Sequence, residues 1–308
     1  QPVVLLAAGA LVVAATVQSA LVPFHRWLLS SMTAPTPASA LMHAGFVNAG
    51  GILLVRFAPV VTVEPAVMLA VVLVGVASAL GGKLLKTVQT DIKGKLGCST
   101  VGQMGFMLVQ AGLGFFGAAI THLILHGFYK AYQFLASGDR VEHTSPTVDG
   151  RDGATGPVGV AVVALTALAG GGLFAVLTGK GTALDGGLLL AGLVVLTVLQ
   201  AAREVVRQSD VPPVVCYGAV PLVALPAIAV YAAVYGVVEG LLHGLPAVGD
   251  PVALTPVHGL VAVAFGLTYL AVETGVYRHS ERLYVALLNA GQPARETMLT
   301  DTEDYNEY

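Results

Sequence analysis

Three ionisable side chains form a row inside an otherwise apolar stretch, residues 117–138. His122, His126 and Lys130 follow each other at i, i+4 and i+8, so a helix places all three on one face over roughly 12 Å. Ionisable groups within a membrane-length segment are costly and usually face a bundle interior or a water-filled path. The row therefore predicts a proton or ion route, in which the imidazoles pass protons and the amine changes its charge. The structural alternative is a pair of helix-bridging histidines beside a snorkelling lysine.

Two further side chains, Tyr129 and Gln133, fall on the same helical stripe. Both can donate and accept hydrogen bonds, so we treat them as accessory members of the predicted route.

A second polar stretch, TAPTPASALMHAGFVNAGG at 33–51, places His43 and Asn48 inside an apolar span. Its prolines and glycines weaken a helix, and broken helices at membrane depth are tolerated where they line a polar cavity. His43 is thus a second candidate relay residue, with a simple packing role as its alternative.

A third stretch, DIKGKLGCSTVGQMG at 91–105, begins with Asp91 and Lys93 near a predicted membrane edge. Lys93 could pair with Asp91 and serve the route, or it could be an ordinary cytoplasmic anchor. Ser99, Thr100 and Gln103 follow on the same helix, where such side chains either carry hydrogen bonds inward or hold helices together.

The elements that must position these residues are membrane spans. Of the 308 residues, 56% are hydrophobic and 11% are charged, whereas soluble domains carry about 25% charged residues. Cys98 and Cys216 lack metal-site spacing and are expected to be buried thiols. Hydropathy predicts an all-α polytopic fold with about nine transmembrane helices: 2–22, 38–57, 64–82, 97–113, 115–137, 157–178, 184–202, 213–240 and 256–276.

The placement of lysine and arginine predicts the orientation of these spans. Only Arg56 and Lys180 fall in even-numbered loops. The odd-numbered loops and the tail hold twelve basic residues: Arg26, Lys83, Lys86, Lys93, Lys95, Arg140, Arg151, Arg203, Arg207, Arg278, Arg282 and Arg295. The positive-inside rule then puts the tail and the Lys83–Lys95 loop in the cytoplasm of a cell whose plasma membrane the chain crosses.

Composition divides the chain into four parts. We expect a channel core with the polar intramembrane residues at 1–137, a polar loop at 138–156, and an aliphatic bundle at 157–276. The segment 277–308 should hold an interfacial helix and an acidic end. Pro221 and Pro226 should kink the span at 213–240. No basic block indicates nucleic-acid binding, and the start at Gln1 suggests a segment further upstream.

The polar stretches together carry a resemblance over roughly residues 15–138. PFHRWLLSSMTAPTPASALMHAGFVNAGGILL, DIKGKLGCSTVGQMGFM and THLILHGFYKAYQFLASG resemble antiporter-like membrane subunits of respiratory complex I, Mrp antiporters and membrane-bound hydrogenases. Within that superfamily, HAGFVNAGGILLVRFAP, HGFYKAYQFLASG and LYVALLNAGQP look most similar to membrane subunits of DAB inorganic-carbon transporters. The resemblance implies an antiporter-like fold whose N-terminal part lies upstream of this sequence.

The same resemblance implies ion flow that drives CO2 hydration in a soluble, zinc-containing partner similar to β-carbonic anhydrases. It adds no cofactor to this chain and makes it a transporter subunit rather than an enzyme. His43, Lys93 and the His122–His126–Lys130 row match ion-path residues of the family. Gln18 stands where complex I subunits typically carry a lysine, which puts one half-channel in doubt.

Two other functions fit the same sequence. The chain could be a proton-translocating subunit of a complex I-like, hydrogenase or Mrp-type assembly, or a non-conducting membrane scaffold that anchors a soluble partner. The ionisable row argues against the scaffold, and Gln18 slightly favours it.

Overall fold

The computed structural model describes residues 2–138, 156–181, 185–208, 213–248, 252, 254–275 and 280–292. Every regular element in these ranges is helical. The helices are α1 (Pro2–Gln18), α2 (Arg26–Ser30), α3 (Thr36–Ala44), α4 (Ala49–Arg56), α5 (Ala58–Val61), α6 (Pro65–Val88), α7 (Ile92–Gly112), α8 (Phe116–Leu135), α9 (Pro157–Thr178), α10 (Gly186–Gln208), α11 (Pro213–Leu242), α12 (Pro256–Thr274) and α13 (Glu281–Ala290).

The predicted all-α membrane fold is confirmed. Five helical segments are long and apolar enough to cross a bilayer: Thr36–Arg56, Pro65–Val88, Pro157–Thr178, Gly186–Arg203 and Tyr217–Leu242. Two shorter apolar helices, Pro2–Gln18 and Pro256–Val272, accompany them. With α7 and α8, which carry much of the polar site, the described residues account for the nine spans expected from hydropathy. Helix α11 runs through both Pro221 and Pro226.

Local sequence explains where several helices begin. Pro65 and Pro157 stand at the first positions of α6 and α9, where a missing N–H costs nothing. Asp91 caps α7, because its Oδ1 accepts a 2.6 Å hydrogen bond from the Gly94 N–H. Gly114, at φ +87°, allows the tight turn between α7 and α8.

The chain forms two compact units. In the first, which includes α1–α8 and α13, helices α6 and α7 approach through glycines. A Cβ on Gly82 would clash with the backbone of Gly102, and one on Gly105 would clash with Ala79. This contact holds α7 firmly, and α7 in turn lies beside α8 and carries part of the polar site.

Helix α13 belongs to the first unit and lies within the predicted C-terminal region. Leu287 and Ala290 pack on a buried cluster of Leu29, Leu85 and Cys98. The Ala290 carbonyl lies 3.0 Å from Nε2 of His25. Helix α13 thus packs against α2, the residue before α2 and the last turns of α6. The acidic end at 293–308 and most of the polar loop at 138–156 lie outside the described residues.

In the second unit, α9 packs against α10 and α11. Close approach at Gly170 and Gly171 brings α9 against Val195, Val198 and Ile228. Lys180 Nζ lies 3.1 Å from Glu239 Oε1, and the Tyr235 hydroxyl donates to the same oxygen at 3.0 Å. This polar cluster fastens the end of α9 to α11.

Candidate functional site

The helix break predicted at 33–51 lies between α3 and α4. A single 3-10 turn, Phe46–Asn48, separates the two helices. Three carbonyls at the break accept from side chains: Asn48 Nδ2 donates to Ala44 at 2.6 Å, Gln18 Nε2 to Phe46 at 3.2 Å and Ser19 Oγ to Val47 at 2.7 Å. The break is therefore stabilised by α1 and by its own asparagine, and Gln18 serves it as a neutral donor.

His43 lies one residue before the end of α3 and is fully buried. Its Nδ1 lies 3.0 Å from the Thr100 hydroxyl on α7, and its ring lies 4.5 Å from that of Phe134, centroid to centroid. Nε2 is buried without a hydrogen-bond partner among the described residues. The imidazole is thus held by one nitrogen and leaves the other available.

Lys130 is also fully buried, with 0% of its surface exposed. Its Nζ donates a 3.0 Å hydrogen bond to the backbone carbonyl of Leu96 on α7. The Thr100 hydroxyl lies 3.0 Å from the same carbonyl. A continuous line of hydrogen-bonding groups therefore joins His43 on α3 to Lys130 on α8, through Thr100 and Leu96 on α7.

The two histidines of the row continue from Lys130 along α8. His126 is 5% exposed, and neither of its ring nitrogens has a hydrogen-bond partner among the described residues. The His122 and His126 rings lie 5.8 Å apart, centroid to centroid, and Nδ1 of His122 lies 3.1 Å from Oε1 of Gln110. A buried imidazole without hydrogen-bond partners is costly, so His126 is the member of the row whose polar atoms are least satisfied by the described residues.

Lys93 and Asp91 lie at the start of α7 and have separate partners. Lys93 Nζ donates to the Ala34 carbonyl at 2.8 Å and to that of Met32 at 3.4 Å. Asp91 caps α7, and no ion pair joins the two side chains in the part of the chain the structure describes. Lys93 thus anchors the segment that leads into α3. Leu96 lies about one helical turn after Lys93 on α7.

Tyr129 and Gln133 lie apart from the buried row. Tyr129 is 58% exposed, and its hydroxyl accepts a 2.8 Å hydrogen bond from Gln133 Nε2. Four residues advance an α-helix by about 400°, which is about 40° more than one full turn. The direction in which the buried side chains point has therefore rotated by about 80° around the helix axis between His122 and Lys130. Tyr129 points in nearly the same direction as His122, so at its position along the helix it lies outside the buried face.

Two members of the site have no counterpart among the residues predicted from the sequence, and a third, Thr100, was named there only together with Ser99 and Gln103. Leu96 takes part through its backbone, which no side-chain pattern reveals. Gln110, 2% exposed, lies near the end of an apolar helix. A buried amide in such a helix is the one signal that could have singled it out.

The described residues contain no group of three His, Cys, Asp or Glu side chains placed to hold a metal ion. The zinc expected in a partner stays a prediction.

The candidate site lies within a region of the chain that matches a known protein family. The family described as NADH:quinone oxidoreductase/Mrp antiporter, transmembrane, matches residues 1–198. The probable inorganic carbon transporter subunit DabB1 of Halothiobacillus neapolitanus is 47% identical over 149 residues, which are 48% of this chain and 26% of that protein. The probable subunit DabB of Bacillus subtilis is 50% identical over 131 residues, 42% of this chain and 26% of its own.

A chloroplast protein is similar over a stretch of comparable length. The NAD(P)H-quinone oxidoreductase subunit 5 of Chloranthus spicatus is 43% identical over 144 residues, 46% of this chain and 20% of that protein. The Mrp complex from Dietzia sp. DQ12-45-1b aligns with 93% of this chain and 30% of its own, at 23% identity and a TM-score of 0.43. The matched region thus spans about a quarter of the carbon-transporter relatives.

The family match covers the break, the glycine-packed helices and the buried histidine–lysine row. The chain therefore belongs to the NADH:quinone oxidoreductase/Mrp antiporter transmembrane family, and within it is similar to the DabB subunits of inorganic carbon transporters.

Proposed function

We propose that the chain is the proton- or cation-conducting membrane subunit of an energy-coupled inorganic-carbon uptake complex. The observation that carries the proposal is the buried line from His43 through Thr100 and the Leu96 carbonyl to Lys130. The names of the carbon-transporter relatives supply the substrate, CO2 or bicarbonate.

The polar line has the features of a conducting site. Lys130 donates to a neutral carbonyl, so its amine can lose a proton without leaving a buried carboxylate unpaired. His126 and His122 follow on α8, and imidazoles pass protons near neutral pH. A scaffold would gain nothing from burying three ionisable groups, since apolar residues would pack at lower cost.

The hydration of CO2 belongs, on this proposal, to a soluble zinc protein similar to β-carbonic anhydrases, bound on the cytoplasmic side. Ion flow through this subunit would drive uptake by that partner, and the chain itself would be no enzyme. His43, Lys93, His122, His126 and Lys130 form the proposed ion path, with Gln18, Asn48 and Asp91 supporting the local backbone.

The quinone-reductase relative supports a second candidate, a proton-translocating subunit of a respiratory complex. Both candidates use the same buried line, so they differ in the reaction that supplies the energy and in the partners.

One experiment separates these candidates. The chain is expressed with its genomic neighbours, and carbon-13 bicarbonate uptake is followed in cells with and without a protonophore. We expect uptake that stops when the ion gradient collapses, together with a co-purifying subunit that contains zinc. Uptake that persists without any gradient, or co-purification of quinone-reducing subunits in place of a zinc protein, would contradict the carbon-uptake assignment.

A further inference from the structure

We propose that Thr100 is a positioning residue whose single hydroxyl proton couples the protonation of His43 to the hydrogen bond held by Lys130. The inference rests on the proposed function, because it matters only where His43 and Lys130 exchange protons. It assigns a role to a side chain on α7 that is neither basic nor acidic.

The geometry around Thr100 offers its hydroxyl two acceptors. Oγ1 lies 3.0 Å from Nδ1 of His43 and 3.0 Å from the Leu96 carbonyl oxygen. Thr100 is fully buried. A hydroxyl carries one proton, so it donates to only one of these two atoms at a time.

Each choice fixes the state of His43. When the hydroxyl donates to Leu96, Nδ1 of His43 must carry a proton and donate to Oγ1. When the hydroxyl donates to Nδ1, that nitrogen must be unprotonated, and the proton of the neutral ring lies on Nε2. A doubly protonated His43 permits only the first arrangement.

Lys130 decides between the arrangements, because it uses the same carbonyl. Within α7 the Leu96 oxygen also accepts the Thr100 backbone N–H in the ordinary helical pattern. Lys130 Nζ adds a second donor, and the Thr100 hydroxyl would add a third to an oxygen with two lone pairs. A charged Lys130 therefore turns the hydroxyl toward His43, and a charged His43 turns it back toward Leu96.

The positive charges of His43 and Lys130 therefore disfavour each other in two ways, through the shared Thr100 hydroxyl and through direct repulsion. Protonation of His43 weakens the hold of Leu96 on Lys130. Loss of the lysine charge leaves Nζ a weaker donor to the Leu96 carbonyl, which favours the first arrangement. Lys130 and His126, both on α8, are the titratable groups that act electrostatically on His43 in the part of the chain described.

The test compares Thr100→Val with Thr100→Ser in the intact complex. Valine keeps the shape and removes the hydroxyl, whereas serine keeps the hydroxyl and removes the methyl group. We expect Thr100→Val to lower gradient-driven carbon uptake by at least about tenfold and to displace its pH profile. Thr100→Ser should restore both the rate and the profile.

Thr121 provides the matched control. It is a fully buried threonine on α8 whose hydroxyl donates to the Gly117 carbonyl of its own helix, at 2.8 Å. Thr121→Val should reach the membrane like the other variants and leave the rate and the pH profile unchanged.

Three results would overturn the inference: wild-type rate and profile in Thr100→Val, equal losses in Thr100→Val and Thr100→Ser, or an equal loss in Thr121→Val. Failure of the underlying function is recognised separately, because Lys130→Ala would then retain uptake. If Lys130→Ala is inactive while Thr100→Val is normal, the transport proposal stands and the coupling by Thr100 is rejected.

Discussion

Lys130 on α8 and Leu96 on α7 are joined by a 3.0 Å hydrogen bond from the lysine Nζ to the leucine backbone carbonyl. A buried amine usually meets a carboxylate, which holds it in the charged state. A carbonyl stabilises the charge less, and it also accepts from a neutral amine. The pairing therefore leaves Lys130 able to change its charge in place, which the proposed ion path requires.

The helix break should depend on the Asn48 side chain. Asn48→Ala removes the donor to the Ala44 carbonyl, which is partly buried. An acceptor left unsatisfied inside a protein costs about 1–3 kcal/mol, and the lower end applies to partial burial. We expect a lower thermal midpoint of the detergent-solubilised protein. Gln18→Ala is the comparison, because its hydrogen bond to Phe46 is exposed and longer. An Asn48→Ala midpoint equal to that of Gln18→Ala would show that the break does not need this cap.

The close approach of α6 and α7 predicts opposite outcomes at two adjacent glycines. Gly82→Ala would drive a methyl group into the Gly102 backbone, whereas Gly81→Ala would meet only a Val22 methyl at 3.4 Å. Overpacking of this kind costs about 1–3 kcal/mol. We expect a clear fall in thermal stability for Gly82→Ala, measured against Gly81→Ala. Equal stability of the two variants would contradict the packing described for these helices.

The folded chain should lose stability in acid through His25. Burial lowers the pKa of His25, and the nearby Arg26 charge acts in the same direction. The hydrogen bond from its Nε2 to the Ala290 carbonyl, at 3.0 Å, raises the pKa but does not outweigh the burial. The unfolded chain therefore binds a proton more readily than the folded one, so stability is lost as the pH falls through the ordinary histidine value of about 6.5.

His25→Gln tests this pH dependence, because a glutamine amide can still donate to Ala290 but cannot titrate. We expect the thermal midpoint of the wild type to fall more steeply than that of His25→Gln between about pH 7.5 and pH 5.5. Parallel curves for the two proteins would remove His25 as the source of the pH dependence.

The orientation of the chain can be tested at Lys86, an exposed residue near the end of α6. The distribution of basic residues predicts that this end of α6 is cytoplasmic. Lys86→Cys, in a background with Cys98 and Cys216 replaced by serine, should resist an impermeant thiol reagent in intact cells and react after lysis. Efficient labelling in intact cells would invert the topology.

The sequence predicted the helical fold, the break and the buried row, because membrane-length apolar runs and helical spacing are strong local signals. His43 and Lys130 were identified as separate candidates, yet their connection was not. It depends on a backbone carbonyl, Leu96, and on which of several α7 hydroxyls faces α3. Tertiary packing decides both, and Tyr129 shows the converse, since spacing alone grouped it with a row that it does not join.

Carbon uptake by complexes that carry changes at Lys130 tests the proposed ion path most directly. Lys130→Ala removes the amine, and Lys130→Arg keeps a charge that does not dissociate. Lys95→Ala, an exposed lysine at the start of α7, is the control. We predict normal membrane abundance and partner binding for all three, near-complete loss of gradient-driven uptake in both Lys130 variants, and wild-type uptake in Lys95→Ala. Wild-type uptake by the assembled Lys130→Ala complex would contradict the proposed ion path and leave the buried row a structural feature.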